Sequence, residues 1–181
     1  AGPVVAAAVI LPKNFQNFDI NDSKKVSPQK RIELSTLIKK KSIAWSIGII
    51  NNTEIDKMNI LNASIQAMHH AITIITQKIR REKIHKLLID GNKFKKYKNI
   101  DHECIIKGDQ KYLSIAAASI IAKTSRDALM CKLDKKHPSY MWKKNKGYPT
   151  KGHKEAIINH GINKYHRKSF KLINEQYCLE L

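Results

Sequence analysis

With 181 residues the chain is long enough to bury one sizeable core and too short for two full domains, so a single domain over residues 1–181 is expected. Lys and Arg number 34 against 15 Asp and Glu, a formal charge of +19, which points to a polyanionic partner. The three cysteines, Cys104, Cys131 and Cys178, form no CxxC pair, and no apolar run reaches the length of a membrane span. Those facts set aside a disulfide framework, a zinc site and a membrane anchor, and favour a reducing, cytoplasmic setting.

Arginine occurs only at 31, 80, 81, 126 and 167, and the other basic residues are lysine, so a Lys-rich compositional bias competes with nucleic-acid binding as the source of the charge. Val4 to Leu11 is an apolar run rich in β-branched residues and closed by Pro12, the pattern of a strand buried on both faces. Ser27 and Pro28 give the cap and first turn of a helix running to about Lys41, and Ser42 to Ile50 reads as a second strand.

Thr53, Glu54, Ile55 and Asp56 resemble a capping box that opens a long helix. Its stripe is Leu61, Ile65, Met68, Ile72, Ile75 and Ile79, and the adjacent His69-His70 pair reads as polar helix surface. Lys86 to Asp90 is a third strand ending in Asp90-Gly91, and Glu103 to Lys107 a fourth ending in Gly108-Asp109. An Ala-rich helix follows from about Ser114 to Leu133, then a Lys-rich loop, a helix between Thr150 and Gly161, and a C-terminal helical tail. Alternating strands and helices predict an α/β fold with a mixed sheet flanked by helices.

Asp90 and Asp109 each end an apolar strand beside a glycine. On adjacent strands running the same way, the two carboxylates would share one sheet edge, where a hard divalent cation relieves their repulsion. Beside a basic surface, that arrangement suits phosphodiester hydrolysis. Asp-Gly and Gly-Asp are also ordinary turn dipeptides, so spacing alone leaves both readings open. Asp127 lies in the Ala-rich helix, where an exposed helix charge explains it equally well. Lys146, Gly147 and Tyr148 place an aromatic among cations, either to stack on a sugar or base or to pack under its own loop.

Eight blocks occur in the order in which ribonuclease HII carries them: AGPVVAAAVIL (1–11), NDSKKVS (21–27), EIDKMNIL (54–61), LLIDGN (87–92), KGD (107–109), SIAAASIIAKTSRD (114–127), NKGYPT (145–150) and HRKSF (166–170). The chain therefore resembles that family over nearly its whole length. The resemblance implies a ribonuclease H-like α/β fold with a C-terminal helical part. It also implies four carboxylates holding Mg²⁺ or Mn²⁺, and two-metal cleavage of the RNA strand of RNA/DNA hybrids, including nicking 5′ of ribonucleotides embedded in duplex DNA.

Two of those carboxylates map onto Asp90 and Asp109, with Asp127 as a supporting residue near the site. Tyr148, by its KGY context with Lys146 and Gly147, matches the tyrosine that packs on the sugar at the RNA–DNA junction. Ser23 and Lys24 match residues that approach the substrate backbone. The family places a DEAGRG-type segment, with the other two carboxylates, immediately before the block that begins here at Ala1. The expectation is thus a chain truncated at its N-terminus, with a gap in the sheet and little or no activity as given; the intact protein would be a monomeric enzyme without membrane attachment. The rival expectation is a basic, non-catalytic nucleic-acid-binding module.

Overall fold

The computed structural model describes residues 1–17, 19, 20, 23, 26–79 and 84–171. Two compact units emerge, one of Val5–Ile49 with Ser64–Ser125, the other of Ala1–Val4, Ile50–Ala63 and Arg126–Leu181.

The first unit begins with β1, Val4–Ile10, which pairs with β2, Ala44–Ile50. The Ile43 N–H, just before β2, donates to the carbonyl of Ile10 at 2.9 Å. Between them runs α1, Pro28–Lys41. Ser27 Oγ caps it by accepting from Lys30 N, Pro28 occupies the first turn where its missing N–H costs nothing, and Lys39, Lys40 and Lys41 complement the negative end of the helix dipole. Arg31, Leu34, Ser35 and Ile38 form the buried face at steps of three and one. The guanidinium of Arg31 is buried because backbone oxygens meet it: Nε donates to the Ser23 carbonyl and one terminal nitrogen to Val26, both at 2.8 Å.

The expected long helix is two helices, α2 (Asn52–Met58) and α3 (Ile60–Lys78). Asn59 stands between them with φ 69°, a left-handed value that ends the first helix. The capping box is Asn51 with Glu54, two residues earlier than the Thr53–Asp56 pair that the sequence suggests. The burial stripe differs too. Leu61 is 48 % exposed, whereas Ala67 and Ala71 are fully buried beside Ile65, Ile72 and Ile75. Small residues win here because α3 lies directly on Gly48 of β2, where even a Cβ would come within 2.0 Å of the Ala67 carbonyl oxygen. Ser46 Oγ, also on β2, donates to the Ala71 carbonyl at 2.6 Å.

β3 (Lys86–Asp90) and β4 (Asp101–Ile105) are parallel neighbours, Asp90 level with Ile105. The fourth strand lies two residues earlier than its apolar run suggests, since Lys107 adopts a left-handed backbone (φ 54°) that turns the chain into the short 3-10 turn Gly108–Gln110. Helix α4, Leu113–Lys136, then supplies Ala116, Ala117, Ile120 and Ile121 to a core with Ile20, Leu34 and Ile38. Among the described residues the strands form two small sheets, β1–β2 and β3–β4, within the expected α/β arrangement. β1 is half-buried at all seven positions, not buried on both faces.

The second unit packs aromatics where the first packs aliphatics. Met130 of α4, Tyr140 and Trp142 meet Ala156 and Ile157 of helix α6, Lys151–His160, with the short helix α5, Trp142–Asn145, between. The Tyr140 and Trp142 rings stack with centroids 5.0 Å apart. Thr150 caps α6 and Gly161 ends it at φ 73°, as the sequence predicts. Residues 162–171 form no helix, and the rest of the expected C-terminal helical tail lies outside the described residues. No helix among the described residues is long and apolar enough to cross a membrane.

Candidate metal and nucleic-acid site

Asp90 is the last residue of β3 and is exposed at the carboxyl end of the strand. Its Oδ1 accepts the backbone N–H of Gly108 at 2.9 Å, and the Gly91 N–H donates to the Ile105 carbonyl at the same distance. The two strands are therefore tied at the end where the carboxylates emerge, and Asp109 follows the very residue that Asp90 binds. The approach depends on Gly108. A Cβ there would meet Ile115 Cδ1 at 2.6 Å and Asp90 Oδ1 at 3.4 Å.

This donor set consists of carboxylate oxygens, the chemistry that Mg²⁺ and Mn²⁺ prefer over imidazole or thiolate. Two carboxylates could supply only part of an octahedral oxygen cage. Among the described residues no group of three or more His, Cys, Asp or Glu side chains gathers to complete it. Within the same unit, Ser23 is buried, its Oγ 2.9 Å from Ser119 Oγ and its carbonyl engaged by Arg31. Lys24 lies outside the described residues.

In the second unit Tyr148 is 54 % exposed, with the Arg126 guanidinium 5.3 Å from its ring centroid. The loop beneath is built by left-handed residues, Lys146 at φ 51° and Gly147 at φ 76°. Gly147 has no room for a side chain, since a Cβ would lie 2.7 Å from the Ala1 carbonyl oxygen and 3.0 Å from Met130 Cε. Asn145 is buried, donates from Nδ2 to the Tyr140 carbonyl at 2.7 Å and accepts the Gly147 N–H at 2.8 Å. The Lys146 ammonium is turned into its own loop, onto the Lys143 carbonyl and Cys131 Sγ. Asp127 is half-buried on α4 beside Arg126.

Three positions carry more of this unit than the sequence reading gave them. Arg126 Nε donates to the Pro3 carbonyl at 3.2 Å, and Arg167 Nε to the Gly2 carbonyl at 3.0 Å, so two guanidiniums grip one short segment. Burial, then the nearby Arg126 charge, pulls Arg167 below its usual pKa. Asp56 is no capping residue. Its carboxylate accepts the N–H groups of Lys168 and Ser169, each at 2.9 Å, and the Ser169 hydroxyl at 2.6 Å. Arg126 and Arg167 belong to sequence blocks already singled out, SIAAASIIAKTSRD and HRKSF; Asp56 belongs to a third, EIDKMNIL, but read there as part of a capping box.

The family model for Ribonuclease HII matches residues 1–173. The chain belongs to the ribonuclease HII family. A ribonuclease HII of Parabacteroides distasonis is 56 % identical over 99 % of the chain and 87 % of its own length. One from Bacteroides fragilis is 54 % identical over 97 % of the chain and 85 % of its length.

Solved structures repeat the fold at lower identity. The ribonuclease H2 of Pyrococcus horikoshii superposes with a TM-score of 0.71 at 22 % identity, covering 94 % of this chain and 90 % of that one. The ribonuclease HII in the complex with PCNA from Archaeoglobus fulgidus gives 0.69 at 21 %, covering 96 % and 88 %. A ribonuclease HIII solved in complex with Mn²⁺ gives 0.67 at 16 %, covering 88 % and 58 %. The ribonuclease H-like α/β fold is thus shown, and membership of the ribonuclease HII family makes the chain a hydrolase of ribonuclease H type.

Proposed function

We propose that this chain is one ribonuclease HII-like domain that hydrolyses the RNA strand of RNA/DNA hybrids and nicks duplex DNA on the 5′ side of an embedded ribonucleotide, acting as a cytoplasmic monomer. The observation that carries the reading is the Asp90 to Gly108 hydrogen bond, which ties Asp90 to the turn bearing Asp109. Asp90 and Asp109 would hold Mg²⁺ or Mn²⁺ in the two-metal arrangement. The ions supply Lewis-acid stabilisation of the charge that builds on the scissile phosphate and leaving oxygen.

The remaining roles follow from shape and charge. The exposed Tyr148 ring offers a flat apolar face to the sugar at the RNA–DNA junction while Arg126, over the same ring, attracts a phosphate. Gly147 sets the turn that presents Tyr148, and Lys146, Lys24 and Ser23 serve the substrate backbone, Lys146 after its ammonium leaves the Lys143 carbonyl. Asp127 supports the site from α4. With a formal charge of +19, binding should weaken steeply as salt rises.

Two carboxylates leave the ion's protein cage incomplete, so cleavage by these 181 residues alone is proposed to be weak or absent. The test is Mn²⁺-dependent nicking of a DNA duplex with a single ribonucleotide, using the chain as printed and the chain with a DEAGRG-type segment ahead of Ala1. Nicking by the extended form, lost in Asp90→Asn and Asp109→Asn, is the expected result. Inactivity of both forms, with duplex binding intact, would overturn the enzyme reading in favour of a binding module.

A further inference from the structure

The second unit buries a chain of polar rings that the proposed chemistry does not use. Trp142 Nε1 lies 3.0 Å from His153 Nε2, which is also 3.1 Å from His166 Nε2. Trp142 and His166 are fully buried and His153 nearly so. At the two outer ends, His153 Nδ1 is 2.8 Å from the Tyr148 carbonyl oxygen, and His166 Nδ1 accepts the Asn163 N–H at 2.9 Å.

Proton placement follows from what each atom can do. An indole N–H only donates, so His153 Nε2 carries no proton and accepts. A carbonyl only accepts, so His153 Nδ1 carries the proton and donates to Tyr148. His166 Nε2 faces that bare nitrogen and donates to it, sharing its single lone pair with the Trp142 N–H, and His166 Nδ1 is bare to receive the Asn163 N–H; the Asn163 carbonyl, 3.2 Å from that Nδ1, then receives nothing from it. Both rings are neutral in opposite tautomers. A proton added to His153 Nε2 would set three donors against one another with no acceptor.

We propose that His153 is a positioning residue for Tyr148: its Nδ1–H holds the Tyr148 carbonyl, and the Trp142 and His166 contacts fix the tautomer that makes this donation possible. The inference rests on the reading of Tyr148 as a substrate contact. The Tyr148 carbonyl also accepts the Thr150 N–H at 2.8 Å and the Tyr148 N–H donates to the Asn145 carbonyl at 2.9 Å; the His153 bond adds a side-chain tie from helix α6 to this same carbonyl, next to Lys146 and Gly147 in left-handed conformations that fixed surroundings maintain. Neighbouring titratable groups form no bond to either imidazole, and the Ala1 ammonium donates to the Gly147 carbonyl instead. His137 packs on Trp142 and Tyr165, His160 on Tyr140, and Lys164 lies over Tyr165, and none of them bonds to either imidazole.

Two measurements test it. Long-range proton–nitrogen NMR correlations on the whole chain at neutral pH should show His153 protonated at Nδ1 and His166 at Nε2; a charged ring or the reverse tautomers would overturn the proposal. Anisotropy then reads affinity for a duplex with one ribonucleotide. Tyr148→Ala should weaken binding about tenfold, the scale of one lost stacking contact. His153→Phe should approach that loss, His153→Asn, whose amide nitrogen stands where Nδ1 does, should stay within about twofold, and the His153→Phe/Tyr148→Ala double variant should be no worse than Tyr148→Ala. Losses that multiply in the double variant, or His153→Asn as weak as His153→Phe, would mean that His153 does not act through Tyr148. If Tyr148→Ala is silent, the proposed role of Tyr148 fails and this inference with it; if only His153→Phe is silent, the inference alone fails.

Discussion

Asp90 Oδ1 and the Gly108 N–H stand 2.9 Å apart, joining the end of one parallel strand to the turn after its neighbour. Gly108→Ala drives a methyl into Ile115 Cδ1, so either that side chain or the turn that bears Asp109 must shift. The loss should appear as about a 10- to 100-fold weaker Mn²⁺ affinity, the usual cost of disturbing the support of a metal ligand. Calorimetric Mn²⁺ titration of Gly108→Ala checks it, and unchanged affinity would remove Gly108 from the site.

Asp90→Asn keeps an oxygen able to accept the Gly108 N–H but removes the charge that attracts a cation. The fold should therefore survive while the rise in melting temperature produced by saturating Mn²⁺ disappears, since a ligand stabilises only the state that binds it. Thermal melts with and without Mn²⁺ separate this from simple unfolding.

Gly48→Ala should be among the most damaging substitutions in the first unit. Its Cβ would sit 2.0 Å from the Ala67 carbonyl oxygen and 2.7 Å from the Ala71 nitrogen, backbone atoms that cannot rotate away. Denaturant unfolding should show a loss at or above the usual overpacking cost of about 1–3 kcal/mol.

Burial pushes His166 down to about 4, and burial likewise lowers His153. Unfolded, both titrate near about 6.5. Between those values the unfolded chain binds more protons than the folded one, so stability should fall as pH drops from about 6.5 toward 4 and level off below. His166→Phe should flatten the pH dependence across that window even where it lowers stability overall. Chemical denaturation at successive pH values provides the comparison.

Asp56→Ala removes all three hydrogen bonds that hold Lys168 and Ser169. Amide exchange at Ser169 should accelerate while the aromatic core around Trp142 stays protected. Against burial, which raises its pKa, the Ser169 and Lys168 hydrogen bonds hold Asp56 below the usual carboxylate range, so the protection of the Ser169 amide relative to its intrinsic exchange rate should fall in the wild-type chain as pH drops through that lowered value.

The sequence by itself determined what is local or recurrent. The α1 start at Ser27 and Pro28 and the α6 limits at Thr150 and Gly161 are capping chemistry, decided within a few residues. The ordered blocks from AGPVV to HRKSF pointed to the family, and the family model agrees. Asp90 and Asp109 were legible as candidates because each follows an apolar strand beside a glycine. Tertiary structure decided the rest. Whether β3 and β4 would be adjacent and parallel, and whether Asp90 would reach Gly108, depended on pairing between segments that carry no mark of their partner. The buried stripe of α3 shifted toward alanines because Gly48 brings β2 close, and Asp56 found Ser169 across 113 residues of chain. His153 read as one of eight histidines until Trp142, His166 and the Tyr148 carbonyl surrounded it. Periodicity and capping act over a few residues and are written in order along the chain, whereas a tautomer or a close approach is set by whichever atoms folding brings within about 3 Å.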